Sequence, residues 1–175
     1  NFIILNQFQK EATLKSLAIT SKGFEDLCLA EICELLNLKP NSCSAFDSCV
    51  MFEGSESDLC RLCYSGQSVS KVLHLLSYGN LEKIEDVDVS GAAKLIKGTF
   101  SVRCWHDEDW KSRDVEAEVG SLILEKKDVK VDLENPDIQF FIFICGKKYY
   151  FGVDYSGFDL SKRDYKVFSH AGSIK

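Results

Sequence analysis

One run of residues constrains the fold more than any other, the nearly continuous apolar segment from Ile138 to Cys145. A short apolar run of this kind predicts a central strand that is covered on both faces of a sheet. Gly146-Lys147-Lys148 follows and indicates a tight turn, after which Tyr149 to Val153 is predicted to pair back as the second strand of a hairpin. The fold must therefore include a sheet with both faces covered around this hairpin.

A strand and a helix precede the hairpin. Apolar residues alternate from Thr99 to His106, which predicts a strand with Arg103 on the face opposite Val102. Helical spacing of apolar residues predicts a helix from Ser112 to Lys126. Gly120 lies inside that helix, where glycine costs roughly 1 kcal/mol relative to alanine, and we expect close packing of the helix against the sheet to compensate for this cost.

The first 80 residues contain a second set of elements. Strands are predicted at residues 16–20, 44–53 and 69–76. Helices are predicted between Gly23 and Pro40 and, with Ser55 or Ser57 as its cap, through Leu62. The order strand, helix, strand, helix, strand is an α+β arrangement of the ferredoxin-like kind, with one strand of that motif not recognised in the pattern.

Four segments together resemble the THUMP domain, an RNA-binding module of enzymes that modify tRNA and rRNA. They are Val102-Arg103-Cys104, the helix containing Val119-Gly120, the run from Val131 to Asp137, and the strand from Tyr149 to Asp154. The spacing Leu160-x-x-Arg163-x-Tyr165 resembles the junction at which such a module enters a class I methyltransferase domain, in tRNA or large-subunit rRNA guanosine N2-methyltransferases.

This resemblance implies a fold with three parts. We expect an N-terminal ferredoxin-like domain at residues 1–80, a THUMP α/β domain at residues 81–160, and a junction at residues 161–175 to a methyltransferase domain that is absent from this chain. The implied function is RNA binding, with recognition of the acceptor end of tRNA on behalf of the separate catalytic domain. The implied partners are RNA and that domain of the same parent chain.

Charge narrows the search for an RNA-binding surface. The net charge of −6 argues against a strongly basic nucleic-acid binder, because phosphate contacts need clustered cations. Split after Gly79, the chain has 6 basic and 9 acidic residues in its first part and 15 basic and 18 acidic in its second, so each part nets −3 but most cations lie in the second. Cations fix phosphates, and aromatic faces stack on unpaired bases. The candidate RNA-binding residues are Arg103, Trp105, Lys111, Arg113, Lys126, Lys127, Lys147, Lys148, Lys162 and Arg163, with Trp110 as a further stacking platform.

No catalytic residue and no cofactor site is predicted in this chain. A methyltransferase of this class holds its cofactor beside a glycine-rich turn, and the sequence contains no Gly-x-Gly. Methylation of a base amino group also needs an Asn/Asp-Pro-Pro-aromatic loop, and Asn135-Pro136-Asp137 lacks the second proline and the aromatic residue. We therefore expect S-adenosylmethionine to be a cofactor of the parent protein and not of this fragment.

The eight cysteines include one pair at zinc-ligand spacing, Cys60-x-x-Cys63. Structural zinc takes four ligands, usually from two such pairs, and no second pair exists. We expect Cys60 and Cys63 to share the buried face of a helix with Leu59, and the cysteines to be reduced and mostly buried. No metal site is predicted.

Two further hypotheses remain open at this stage. A protein–protein interaction module without RNA binding would suit the acidic balance, and a small metal- or redox-active protein would use the cysteines. No signal peptide is visible and no apolar run approaches the ~20 residues that span a membrane. We therefore expect a cytoplasmic protein without a membrane partner.

Overall fold

A β-α-β-β-α-β unit forms the first half of the molecule, whose computed structural model describes residues 12–106 and 110–162. The bounds are β1 Leu14–Thr20, α1 Glu25–Leu36, β2 Ser44–Phe46, β3 Cys49–Gly54, α2 Glu56–Ser65 and β4 Val69–Asn80. The strands are antiparallel in the spatial order β2-β3-β1-β4. This connectivity is that of the ferredoxin-like motif expected for this part of the chain.

The strand that the sequence pattern did not reveal is one arm of a hairpin. The segment predicted as one strand from residue 44 to 53 is two strands, β2 and β3, joined at Asp47 and Ser48. Both turn residues have positive φ, 41° and 64°, as a mirror-image hairpin turn requires. Such turns usually contain glycine, and the absence of glycine here concealed the break.

The described part of the second half adds four strands and two helices. The bounds are α3 Ser90–Leu95, β5 Thr99–His106, α4 Ser112–Lys126, β6 Lys130–Val131, β7 Ile138–Cys145 and β8 Lys148–Asp154. Single 3-10 turns occupy residues 40–42, 84–86 and 160–162. The predicted hairpin is confirmed, because β7 and β8 pair in antiparallel register from Cys145 and Lys148 outward, while β5 pairs parallel to β7.

Pairing between β4 and β8 joins the two halves into one sheet. The order is β2-β3-β1-β4-β8-β7-β5-β6, and β4 pairs with β1 over Val69–His74 and with β8 over Leu73–Asn80. β4 therefore runs four residues beyond its predicted end at Leu76. Its last residues are polar or half-exposed, which is why the apolar pattern stopped early.

Three apolar clusters cover the two faces of this sheet. On the helical face, α1 and α2 pack on the first half around Ile32 and Leu62, and α3 and α4 pack on the second half around Val119 and Phe140. On the opposite face, residues of both halves share one cluster, which comprises Leu17, Ile19, Cys49, Leu73, Leu75, Phe141, Phe143 and Tyr150. The two halves thus share both a sheet and a core.

Candidate functional site

An open groove lies between α4 and the free edge of β5. Strand β6 pairs only with Thr99 and Phe100, so no strand of residues 12–106 and 110–162 covers the remainder of the outer edge of β5. The resulting cavity has a volume of about 570 Å³, and we call it the α4 groove. Its lining combines the cations Arg103 and Arg113 with apolar side chains that are exposed to solvent, and these are Leu124, Val131 and Leu133.

Arg103 is fixed at one wall of the α4 groove. Its Nη2 donates a hydrogen bond of 2.8 Å to the carbonyl oxygen of Leu133. The side chain lies on the face opposite Val102, as the alternation predicted, because Val102 packs in the helical-face core. A guanidinium has five N–H donors, so this bond orients the group while leaving most of its donor capacity.

The run from Asp132 to Asp137 is held in place by its own carboxylates. Oδ1 of Asp132 accepts from the backbone N–H groups of Glu134 and Asn135, both at 2.9 Å. Oδ2 of Asp137 accepts from the N–H of Thr99 at 2.7 Å and from its hydroxyl at 3.0 Å. These bonds hold the pKa of both carboxyls below their usual range. The carboxylates therefore build the loop that places Leu133 at the groove.

Glu116 is the carboxylate of the groove. Its Oε1 accepts from the backbone N–H of Cys104 at 3.0 Å, across the uncovered edge of β5. This bond satisfies one edge donor that β6 does not reach. The carboxylate of Glu116 thus has a backbone partner in β5. Arg103 and Arg113 line the same groove.

Gly120 opens the groove instead of bringing the helix close to the sheet. A Cβ atom added there would meet no other atom within 4 Å, and the residue lines the α4 groove. The expectation of close helix–sheet packing at Gly120 is therefore wrong. The apolar positions that hold α4 on the sheet are Val115, Val119 and Ile123.

The ten candidate residues lie in several separate places. Arg103 and Arg113 share the α4 groove, Lys111 is exposed at the start of α4, and Lys126 is exposed at its end. Lys127 donates from Nζ to the carbonyl oxygen of Ile96 at 2.5 Å, which ties α4 to the end of α3. Of the predicted cations that the structure describes, the groove therefore brings together two.

Two lysines occupy the β7–β8 turn, where Lys147 is exposed and Nζ of Lys148 lies 3.7 Å from Oδ2 of Asp47. Nζ of Lys162 lies 3.6 Å from Oδ2 of Asp159, and Arg163 is outside the described residues. Trp105 packs edge-to-face on Phe141, with ring centroids 5.7 Å apart, and Trp110 packs against the helical-face core. Their contacts place both indoles partly within cores.

Sequence reasoning missed the apolar part of the groove. Leu124 lies outside the buried face of α4, and it is 41% exposed. Val131 and Leu133 are 48% and 60% exposed on the following segment. Leu124, an apolar residue on the polar side of α4, was the signal that the sequence offered. Only the fold shows that the side chains of Leu124, Val131 and Leu133 converge.

One known family matches part of the second half of the molecule. Residues 82–154 match the family model described as the THUMP domain. This segment is therefore similar to the THUMP domain. The match ends at Asp154, the last residue of β8, and includes the α4 groove and the β7–β8 hairpin.

Similarity to known proteins extends beyond residues 82–154. The ribosomal RNA large subunit methyltransferase K/L of Photobacterium profundum is 29% identical over 167 residues, which cover 86% of this chain. The chain spans only 23% of the length of that relative. TrmN from Thermus thermophilus has a similar fold, with a TM-score of 0.61, 21% identity, and coverage of 89% of this chain and 49% of TrmN. A 4-thiouridine synthetase in complex with RNA and ATP matches with a TM-score of 0.51 and 16% identity, over 81% of this chain and 41% of the synthetase.

Cys60 is not buried, contrary to the expectation. In α2, Leu59 and Leu62 are buried, Cys63 is half-buried, and Cys60 is exposed. A step of about 100° per residue turns position 60 away from the face that positions 59, 62 and 63 share.

Within residues 12–106 and 110–162, no three side chains of the metal-binding types form a cluster. No helix in the same ranges has the length and apolarity to cross a membrane.

Proposed function

We propose that this chain is the RNA-binding part of an S-adenosylmethionine-dependent RNA methyltransferase whose catalytic domain belongs to another part of the parent protein. The THUMP match and the relative named as a ribosomal RNA methyltransferase support this proposal. A protein of similar fold forms a complex with RNA. Cytoplasmic location is part of the same proposal.

The observation that supports RNA binding is the composition of the α4 groove. Two arginines stand beside a strip of exposed apolar side chains, Leu124, Val131 and Leu133. Guanidinium groups bind phosphates, and apolar surface accepts the faces of unstacked bases. A single-stranded segment of RNA offers both groups at once, whereas a duplex hides its base faces. The groove therefore suits an unpaired end.

We further propose that this unpaired end is the acceptor end of tRNA and that the parent methylates the N2 amino group of a guanine. The mechanism assigned to this chain is positioning. Arg103 and Arg113 hold the backbone of the end, and the attached catalytic domain then meets its target base at a fixed distance. S-adenosylmethionine supplies the methyl group in the catalytic domain and is not bound by the residues described above.

The domain division expected from the sequence is part of this proposal, with residues 1–80, 81–160 and 161–175 as its units. The pairing of β4 with β8 and the shared core around Leu73 and Phe141 support a rigid connection between the first two units. A rigid connection lets an RNA held by the THUMP domain keep one orientation relative to everything attached to the chain.

Binding of whole tRNA, with and without its single-stranded 3′ end, tests the function. We expect the 175-residue chain to bind intact tRNA at low salt, to bind less tightly once the end is removed, and to lose affinity linearly in a plot of log K against log salt. Equal affinity for the trimmed tRNA would contradict end recognition. Absence of binding to any structured RNA would contradict RNA binding itself.

A second function, protein binding without RNA, is favoured by one different surface. Phe24 and Leu27 on the outer side of α1 are 38% and 57% exposed. They border a cavity of about 500 Å³ that also contains Glu31 and Glu34. An acidic, apolar surface of this kind repels phosphate and suits a basic protein segment. The tRNA experiment separates the two functions.

A further inference from the structure

The sheet curves so strongly that its edge strand β2 reaches β8, although three strands lie between them. The ring centroids of Phe46 and Tyr150 are 5.7 Å apart. A register shift between Leu75 and Ser77 in β4 marks an irregularity of the kind that increases strand twist. The curvature encloses a cavity of about 400 Å³ on the face away from the helices, and we call it the tyrosine groove. Its size lies within the range of about 300–1,000 Å³ that is usual for ligand pockets.

Aromatic rings form one wall of the tyrosine groove. Tyr78 is 49% exposed and lies nearly parallel to Tyr150, with an interplanar angle of 9° and centroids 6.4 Å apart. Phe46 and Met51 also line the groove. A flat ring entering the groove extends this existing stack, which is how proteins hold unpaired bases without regard to sequence.

A lysine from β1 lies against the ring of Tyr78. Nζ of Lys15 is 2.6 Å from the hydroxyl oxygen of Tyr78 and 4.3 Å from the ring centroid. The ammonium therefore lies toward the hydroxyl end of the ring. Lys15 is not part of the lining of the groove, but its contact with Tyr78 places its positive charge next to the aromatic surface.

Charge distinguishes this groove from the other cavities. The tyrosine groove has no carboxylate in its lining, whereas the other three of the four cavities compared in the described part contain Glu31 and Glu34, Glu53 and Asp58, or Glu116. Lys148 lines it, and the nearby Asp47 is only 3.7 Å from that lysine at a site where both side chains are 53% exposed. An exposed pair of this kind is weak and is readily exchanged for a phosphate.

Polar groups inside the groove complete the site. The side chain of Asn80 lines it and offers both a donor and an acceptor. The hydroxyl of Tyr150, whose pKa burial raises from 10 to about 12, is protonated at neutral pH, as an ordinary tyrosine is, and can donate a hydrogen bond. The combination of a flat aromatic wall, two cations and neutral polar groups matches a nucleotide in all three of its parts.

We propose that the tyrosine groove binds one nucleotide of the RNA outside the α4 groove, with the base stacked on Tyr78 and the phosphate between Lys15 and Lys148. This inference rests on the proposed RNA-binding function and extends the RNA footprint to the first half of the chain. It assigns a role in RNA binding to residues of β1 and β4, which the THUMP match at residues 82–154 does not include.

Tyr78→Ala tests the stacking contact, and Tyr64→Ala is its matched control, because Tyr64 is 87% exposed on α2 and lines none of the four cavities. The probe is a single-stranded RNA of about 12 nucleotides, a length within the range that such binding modules cover. We expect Tyr78→Ala to weaken binding about 5-fold or more, since stacking on one aromatic ring is worth about 1–3 kcal/mol. Tyr78→Phe keeps the ring and should bind almost as the parent chain does.

Crosslinking provides a readout that does not depend on the stability of a variant. The same RNA carrying 4-thiouridine, irradiated with the unaltered chain and analysed by mass spectrometry, should label a peptide containing Tyr78 or Tyr150. Labelling confined to α4 and β5, with wild-type affinity for Tyr78→Ala and weakened affinity for Arg113→Ala, overturns this inference and leaves the proposed function standing. Loss of the Tyr78 crosslink on adding free adenosine monophosphate at equal concentration overturns the assignment to RNA in favour of a free nucleotide.

Discussion

Nζ of Lys71 lies 2.5 Å from Oδ2 of Asp154, and the two side chains are only 5% and 0% exposed. Lys71 belongs to β4 and Asp154 ends β8, so this ion pair joins the two halves of the sheet. Gln139 donates to the same carboxylate oxygen at 2.9 Å, and the N–H groups of Ser156 and Gly157 donate to the other oxygen. Every oxygen of the buried carboxylate is thus satisfied.

Replacing Lys71 by methionine should be strongly destabilising. Methionine keeps most of the side-chain length and leaves the Asp154 carboxylate buried without its cation. Breaking a buried pair in this way typically costs about 3–5 kcal/mol. Urea unfolding followed by circular dichroism measures the loss.

Two further variants make the Lys71 result interpretable. Lys22→Met, at an exposed lysine, should change the free energy of unfolding little. Adding Asp154→Asn to Lys71→Met removes the orphan charge and should recover part of the loss. Equal changes in the free energy of unfolding for Lys71→Met and Lys22→Met would show that the ion pair between Lys71 and Asp154 does not stabilise the fold.

Helix α4 and strand β7 could be predicted to the residue from the sequence, and β8 to within one residue at each end. Each has a helical or alternating period or a nearly continuous apolar run, and a glycine-containing turn ends β7. Local signals of this kind need no knowledge of the rest of the chain.

The contacts that build the two grooves could not be predicted in the same way. Lys71 and Asp154 are 83 residues apart, and Phe46 meets Tyr150 only because the whole sheet curves. Gly120 shows the same limit of prediction within a single helix. Its position in α4 could be predicted from the sequence, but the empty space beside it could not. Such features depend on the summed twist of eight strands, which no local pattern records.

Gly120→Ala should stabilise the fold by about 1 kcal/mol, because alanine is the better helix former and its methyl group meets nothing within 4 Å. Thermal unfolding should show a higher melting temperature. Gly152→Ala is the opposite case, because its Cβ would overlap the backbone carbonyl of His74. A lower melting temperature for Gly120→Ala would mean that the groove wall is tighter than the structure shows.

Buried cysteines should make the fold sensitive to alkaline pH. Burial raises the pKa of Cys28 to about 11 and that of Cys104 to about 12, from an ordinary value near 9. The folded chain therefore keeps these protons while the unfolded chain releases them above about pH 9, so the stabilising contribution is complete below that pH and is lost as pH rises toward 12. Urea unfolding under reducing conditions at about pH 8 and about pH 10.5, on either side of the ordinary thiol pKa, should show the decline.

The double variant Cys28→Ala/Cys104→Ala is the control for this pH effect. It removes both titrations, so its loss of stability between the two pH values should be smaller than that of the unaltered chain. Identical declines would assign the alkaline effect to other groups. Cys49, whose pKa burial also raises, is the first to consider, followed by Tyr150 and Tyr155, whose pKa values burial raises to about 12.

Arg113→Ala should weaken RNA binding through the loss of one phosphate contact in the α4 groove, where Arg113 is exposed beside Arg103. Removing one contact to single-stranded RNA should reduce the slope of log K against log salt by about 0.7. Arg61→Ala removes an exposed arginine of the same charge from α2. It should leave the slope unchanged and should change the affinity only by the small effect of net charge. Because both variants lower the charge of the chain by one, a difference between their slopes reports where the RNA lies. Equal slopes would place the RNA away from the α4 groove, and a reduced slope for Arg61→Ala alone would move the binding surface to the first half of the chain.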